Sequence, residues 1–236
     1  LLLLRGADST SGCDASSYYA SVGSSSSSSS SSLWNSLHAI VDGHTVIPYT
    51  STATDVWDAL EVLDADATNA NNVLLVYSQR SEPKANHVDA SGWNREHVWP
   101  KSYGVGYTGA DTSDLHSLRA ADWGVNSARS NLYFNTCTHT GCSSPAHAEA
   151  AADTAKDSAV FMPPANQRGD LARSLMYMAV RYDGTDANTE DLRLSDCPCS
   201  YGSTMGMLST LLAWHVADPP DAAEIERTGL VCSAFQ

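Results

Sequence analysis

The sequence predicts an α+β fold in a single domain, a mostly helical body with few strands, stabilised by disulfides. Three observations carry this. The 236 residues are 42% hydrophobic, enough to bury a sizeable core, and no repeat divides the chain. Four segments place apolar residues at helical spacing, whereas Val73 to Tyr77 is a short continuous apolar run of the kind found in a buried strand. The six cysteines are even in number and contain no pair of C-x-x-C knuckles, which points to disulfides and an oxidising compartment and away from structural zinc.

In chain order, Leu1 to Leu4 are too short for a signal sequence and fit either the tail of one or a ragged chain end. Ser24 to Ser32 form a nine-serine tract without apolar surface, so residues 1–32 read as a tail with a flexible linker and residues 33–236 as the folded domain. Leu33, Leu37, Ile40 and Val41 fall at helical spacing. Thr54 is placed to N-cap the next helix, with Asp55 in its first turn and Val56, Leu60 and Leu63 on one face. The acids and amides from Asp64 to Asn72 suggest a calcium loop only weakly, because the EF-hand glycine and distal glutamate are missing. Phe134 to Ala165 reads as loop. Leu171, Leu175, Met178, Ala179 and Tyr182 mark the buried stripe of a long helix opened by Arg168, and a last helix is expected over Met205 to Val216. Cys137 and Cys142 flank a short loop and should bridge. Cys197 and Cys199 are too close to pair easily, which leaves Cys13 and Cys232 as their expected partners. No apolar run approaches the roughly 18 residues that a membrane span requires.

The chemistry concentrates in residues 91–131, where Glu96 stands beside His97, Asp114 near His116, and Asn126 and Asn131 follow among the cations Arg95, Lys101 and Arg129. A hard cation such as Mg²⁺, or Ca²⁺ or Mn²⁺ in its place, takes oxygen ligands and keeps several waters. One carboxylate and one amide carbonyl therefore suffice beside a substrate phosphate, and Glu96 and Asn126 can supply them. An imidazole kept off the metal can deprotonate water at neutral pH, which makes His97 the candidate general base. Neighbours on a strand point to opposite faces, so Glu96 and His97 meet only at an irregular strand end, which Pro100 provides. Arg129 is the candidate for meeting charge that develops on the phosphate.

NREHVWPKS (Asn94 to Ser102) and DLHSLRAADWGVNSARSN (Asp114 to Asn131) closely resemble the endonuclease I family, a branch of the His-Me finger (ββα-metal) nucleases. These are extracellular or periplasmic enzymes that cut DNA, and often RNA, without sequence preference. The resemblance implies a ββα-metal core, Glu96 and Asn126 as metal ligands, His97 as base, Asp114 and His116 as a brace, and Arg129 with Asn131 in the turn after the metal-binding Asn. It also implies products with a 5′-phosphate and a 3′-hydroxyl. RGDLARSLMYMAVRYDG matches the family's core helix, and Trp214-His215 with Asp218-Pro219 its WH-x-x-DP signature.

The chain departs from the family in three places. An acid expected before Pro163-Pro164 is replaced by Phe161-Met162, no arginine lies between Lys101 and Ser113, and the family's Q-G-N-R-N-P-F segment is not reached by Gln236, so that it either lies outside this sequence or is lost. The net charge of −14 opposes binding a polyanion, yet residues 80–193 hold 11 bases and 14 acids, so the middle contributes only −3. A substrate cleft lined by Arg95, Lys101, Arg119, Arg129 and Arg168 is the expectation. A second reading keeps the fold and loses the catalysis, leaving a secreted scaffold or assembly component.

Overall fold

The computed structural model describes residues 13, 18–22, 29–87, 89–198 and 202–235; Leu1 to Leu4, Ser24 to Ser28 and Cys199 lie outside them. Six α-helices among the described residues are interspersed with short strands in four small sheets, an α+β arrangement. Helix α1 (Ser30–Val41) begins inside the serine tract, because the Ser29 side chain accepts a bond from the Ser32 N–H and so caps the first turn. Helix α2 (Val56–Leu63) is capped by Asp55 and not by Thr54. The Asp55 carboxylate accepts from the Trp57 N–H, and Asp58 reaches back to the Asp55 N–H, a reciprocal box that the two acids make together.

The polar stretch after α2 forms a hairpin of β1 (Ala65–Asp66) and β2 (Asn69–Leu74), with β3 (Ser81–Pro83) on the far side of β2. The strand expected over Val73 to Tyr77 thus starts at Asn69 and ends at Leu74, and Leu75 to Tyr77 are buried in the turn beyond it. The acids considered for calcium serve the fold instead. Asp64 accepts from the Ala120 N–H at 2.6 Å and from Arg227 at 2.8 Å, and Asp66 accepts from Thr68.

Strand β4 (Trp93–His97) pairs antiparallel with β5 (Leu118–Asp122), with Glu96 opposite Arg119 and His97 opposite Leu118. Helix α3 (Trp123–Arg129) follows without a connecting residue, because Asp122 both ends the strand and caps the helix. Its Oδ1 accepts from the Val125 N–H at 2.9 Å while Arg80 holds Oδ2 at 2.7 Å. Two apolar clusters clamp the hairpin. Trp93, Leu118 and Ala120 join Val56, Leu60 and Val73 in one, and Ala121, Val98 and Trp99 join Leu171, Leu175 and Met178 in the other. All five β5 residues are consequently buried, which fixes the strand that aims α3.

The region expected to be loop contains β6 (Tyr133–Phe134), β7 (Ala155–Lys156) and β8 (Val160–Met162) in the order β6-β8-β7. Helix α4 (Arg168–Arg181) buries Leu171, Leu175, Met178 and Ala179 as its spacing predicts, with Tyr182 buried just beyond its end. Strands β9 (Arg193–Leu194) and β10 (Thr204–Met205) pair in parallel, so the final predicted helix starts later, as α5 (Leu208–Ala217). The end of α5 crosses α4 at Gly169, where an added Cβ would lie 2.0 Å from the Asp218 carbonyl oxygen; the crossing therefore requires glycine. Helix α6 (Ala222–Leu230), absent from the sequence reading, is capped by Asp221 and latched by Arg227, which donates to Asp64 and to the Leu115 and Leu118 carbonyls.

Cys137 bridges Cys142 as expected. Cys13, however, bridges Cys232 across 219 positions, which removes both expected partners of Cys197, a free and exposed thiol in the described structure. No helix among the described residues is long and apolar enough to cross a membrane.

Candidate active site

The end of β4, the turn after it and helix α3 enclose a cleft of about 290 Å³, lined by Arg95, Glu96, His97, Pro100, Lys101, Ser102, Tyr107, Asn126, Arg129, Ser130 and Asn131. Seven residues singled out from the sequence therefore share one cleft: Arg95, Glu96, His97, Lys101, Asn126, Arg129 and Asn131. Glu96 is 2% exposed, and its Oε1 accepts from the Tyr77 hydroxyl at 2.7 Å and faces Arg129 Nη1 at 3.0 Å. Both partners crowd one carboxylate oxygen and leave Oε2 for another ligand. Burial raises the Glu96 pKa, and Arg129 and Tyr77 pull against that rise.

His97 is held in one tautomer. Its Nε2 lies 2.9 Å from the Thr112 carbonyl oxygen, which can only accept, so Nε2 carries the proton and Nδ1 keeps the basic lone pair. Burial, with Lys101 adding to it, pushes its pKa down to about 3, so the ring is neutral at physiological pH. The Tyr49 ring lies 5.4 Å from the imidazole.

Asn126 sits one turn into α3, and its Nδ2 donates to Asn94 Oδ1 at 2.7 Å across to β4, which leaves Asn126 Oδ1 as an acceptor. Asn131 donates to Ser102 at 3.2 Å. Arg129 is 1% exposed. Its two terminal nitrogens donate to the His97, Val98 and Ser130 carbonyls beside the Glu96 pair, and its guanidinium lies 4.5 Å from the Phe134 ring. Arg95 stacks on Tyr49 and Trp57, its guanidinium 3.5 Å and 4.1 Å from the ring centres, and Lys101 Nζ lies 4.2 Å from the Tyr49 ring.

Other predicted residues lie elsewhere. Asp114, fully buried, accepts from the Tyr182 hydroxyl at 2.8 Å and from the His116 N–H at 2.9 Å, while the His116 ring packs on Tyr177; both therefore brace the hairpin against α4. Arg119, expected at the substrate, is 7% exposed with Nη1 3.7 Å from Asp64, and it does not line the cleft. Arg168, expected there too, donates to the Pro163 and Asp153 carbonyls outside it.

Among the described residues, the one cluster of three or more thiol, imidazole or carboxylate groups spaced for a metal is Cys137, His139, Cys142 and Asp157, their ligand atoms within 4.8 Å of one another. The disulfide commits both sulfurs there, and His139 instead bonds Asp157 at 3.0 Å. Sequence reasoning missed Tyr49, Tyr77, Asn94 and Thr112, each of which orients a cleft side chain. Asn94 alone carried a usable signal, since on a strand it shares a face with Glu96.

Residues 29–236 match the family described as Endonuclease I. The chain belongs to the Endonuclease I family. Two relatives are each named extracellular ribonuclease. The one from Bacillus amyloliquefaciens is 41% identical over 209 residues, covering 87% of this chain and 68% of its own length. The one from Bacillus subtilis (strain 168) is 39% identical over 209 residues, with the same two coverages. This member of the family is a nuclease, a hydrolase acting on phosphodiester bonds.

Proposed function

We propose that this nuclease is a secreted, metal-dependent endonuclease that hydrolyses RNA and DNA without sequence preference, using β4, β5 and α3 as a ββα-metal core. The nuclease domain is taken as residues 33–236, and Cys13 is tied to it through Cys13–Cys232. The observation that carries the reading is His97, held by Thr112 with Nδ1 unprotonated in the same cleft as Glu96 and Asn126. The relatives' names support RNA as a substrate, and the two disulfides, with those same names, support secretion.

The donor set fits a hard divalent cation: a carboxylate with one oxygen unengaged, and an amide turned by Asn94 so that its carbonyl is the acceptor. Glu96 and Asn126 are the residues that would hold Mg²⁺, Ca²⁺ or Mn²⁺. Bound there, the cation would neutralise charge on the phosphorane and the departing oxygen. His97 Nδ1 takes the proton of the attacking water, and Thr112 stabilises the imidazolium that forms. Arg129 and Tyr77 hold Glu96 in position, so Arg129 acts through the carboxylate and not on the phosphate. Lys101 and Arg95 face the substrate backbone.

Cleavage of plasmid DNA and of RNA, with and without a chelator, tests the reading. Chelation should stop cutting, and His97→Ala should lower the rate by roughly 100- to 10,000-fold while the protein still melts cooperatively. A His97→Ala variant that cuts as fast as the parent refutes the mechanism. A scaffold without catalysis has no need of a histidine fixed in one tautomer beside an open cleft.

A further inference from the structure

Cations and aromatic rings alternate from behind the cleft out to its edge. Arg95 lies against Trp57 and Tyr49, Lys101 lies against Tyr49, and Lys101 Nζ is also 4.9 Å from the centre of the Tyr107 ring. The series ends at the solvent with Tyr107, 81% exposed and one of the residues lining the cleft. Its backbone is carried between Gly106 and Gly109, both at positive φ, in a turn that holds the ring out from the body. Tyr49 and Trp57 are covered by their cations, whereas Tyr107 keeps an aromatic surface open beside a lysine.

We infer that Tyr107 is a nucleobase-stacking subsite, and that it gives the nuclease a preference for unpaired strands; this deepens the proposed reading and rests on it. An aromatic face next to a cation accepts any base by stacking, without reading sequence. Bases inside a duplex are already stacked on one another, so only a splayed, looped or terminal base can use the ring. The charge of the chain explains why such a contact matters. The net charge of −14 opposes steering, and with only Arg95 and Lys101 of the expected cleft cations free to meet phosphates few counterions are released, whereas stacking is far less sensitive to salt. Lys101 then meets a phosphate while the adjacent base covers Tyr107.

Binding is measured by fluorescence anisotropy on the full chain in EDTA, where no cutting occurs. The probes are a labelled single strand of mixed sequence, an abasic sugar-phosphate strand of equal length, and a fully paired duplex capped at both ends by non-nucleotide linkers. The parent should bind the single strand more tightly than the other two. Tyr107→Ala should weaken only the single strand, by about 5- to 100-fold, and Tyr107→Phe should restore binding. With metal present, the same loss should appear in KM for single-stranded substrates, with kcat nearly unchanged. Equal affinity of the parent for base-bearing and abasic strands, or a Tyr107→Ala effect of one size on all three probes, overturns the inference. If the parent cuts nucleic acid and Tyr107→Ala discriminates nothing, only this subsite falls. If the parent cuts nothing, the proposed function falls, whatever the binding series gives.

Discussion

Replacing Tyr77 with phenylalanine removes one oxygen atom from the buried layer behind Glu96. Tyr77 is fully buried, its hydroxyl donates to Glu96 Oε1 at 2.7 Å, and its ring packs on Phe161 with centres 4.9 Å apart. The ring contact survives the substitution. A hydrogen bond to a charged group is worth about 1.5–3 kcal/mol net. Glu96 keeps Arg129 at 3.0 Å, so the carboxylate is not orphaned, and the stability loss should lie near the lower end, about 1–2 kcal/mol. The effect on cation binding should be larger. Tyr77 opposes the rise that burial imposes on the Glu96 pKa, and it fixes which oxygen stays available. Losing such an outer support of a ligand typically weakens metal affinity by about 10- to 100-fold. Urea denaturation gives the first quantity, and activity titrated against cation concentration gives the second. The expected result is a shifted cation midpoint with nearly unchanged kcat at saturation. A variant with parental stability and a parental cation midpoint would refute the idea that Tyr77 positions Glu96.

Arg227→Met should destabilise the fold by about 2–4 kcal/mol in urea melts, because it removes a buried charged donor to Asp64 and to the Leu115 and Leu118 carbonyls, while Asp64 keeps the Ala120 N–H and Arg119. Opening Cys13–Cys232 by a double serine substitution should cost up to about 5 kcal/mol on a chain-entropy estimate, since the bond closes 219 positions; a thermal melt within a degree of the parent would contradict it. Burial, with Asp114 opposing, lowers the His116 pKa to about 4, so the folded state binds the proton less well than the unfolded chain does. That stability is present above about pH 6.5 and lost as pH falls toward 4, on the order of 2–3 kcal/mol, and His116→Asn should flatten the parent's pH slope in this window. Only Arg95 and Lys101 among the expected cleft cations remain to meet phosphates, so log Kd for single strands should change with log salt by a slope of about 1.4 in magnitude, and a slope several times steeper would call for further basic contacts.

What the sequence revealed was local. Glu96 next to His97, with Asn126 a short strand and one helical turn later, is a pattern that chain connectivity nearly forces together once β4 pairs with β5. Cys137–Cys142 was legible for the same reason, being closed by five positions. Tyr77 and Thr112 were not, because they approach Glu96 and His97 from turns 19 and 15 residues away whose own composition is unremarkable. The polar start of β2 was not legible as strand, and suggested only a weak calcium loop, because most of Asn69 to Asn72 faces solvent on a hairpin and hydrophobic patterning has no signal there. The helix α6 carried a readable sign, Asp221 three residues before Glu224, which falls in the pattern of an N-cap. The partner of Cys13 depended on where that helix docks, which only tertiary packing decides.

The acidity of the chain and its nucleolytic site are reconciled by where the charges go. Of the cations expected around the substrate, Arg119 is paired with Asp64, Arg129 is turned inward to Glu96 and three carbonyls, and Arg168 is held by two more. Each organises the fold and offers little to a polyanion. The two that stay in the cleft, Arg95 and Lys101, are packed on aromatic rings, which limits their motion and keeps them beside His97. The global field therefore opposes long-range steering, while the local geometry presents a rigid pair of cations and an exposed ring at close range. Such a surface should bind weakly and release quickly, and an enzyme that must leave one cut strand to reach the next can work with that. Raising affinity by adding lysines to the surface would then slow departure from products before it improved capture of substrate.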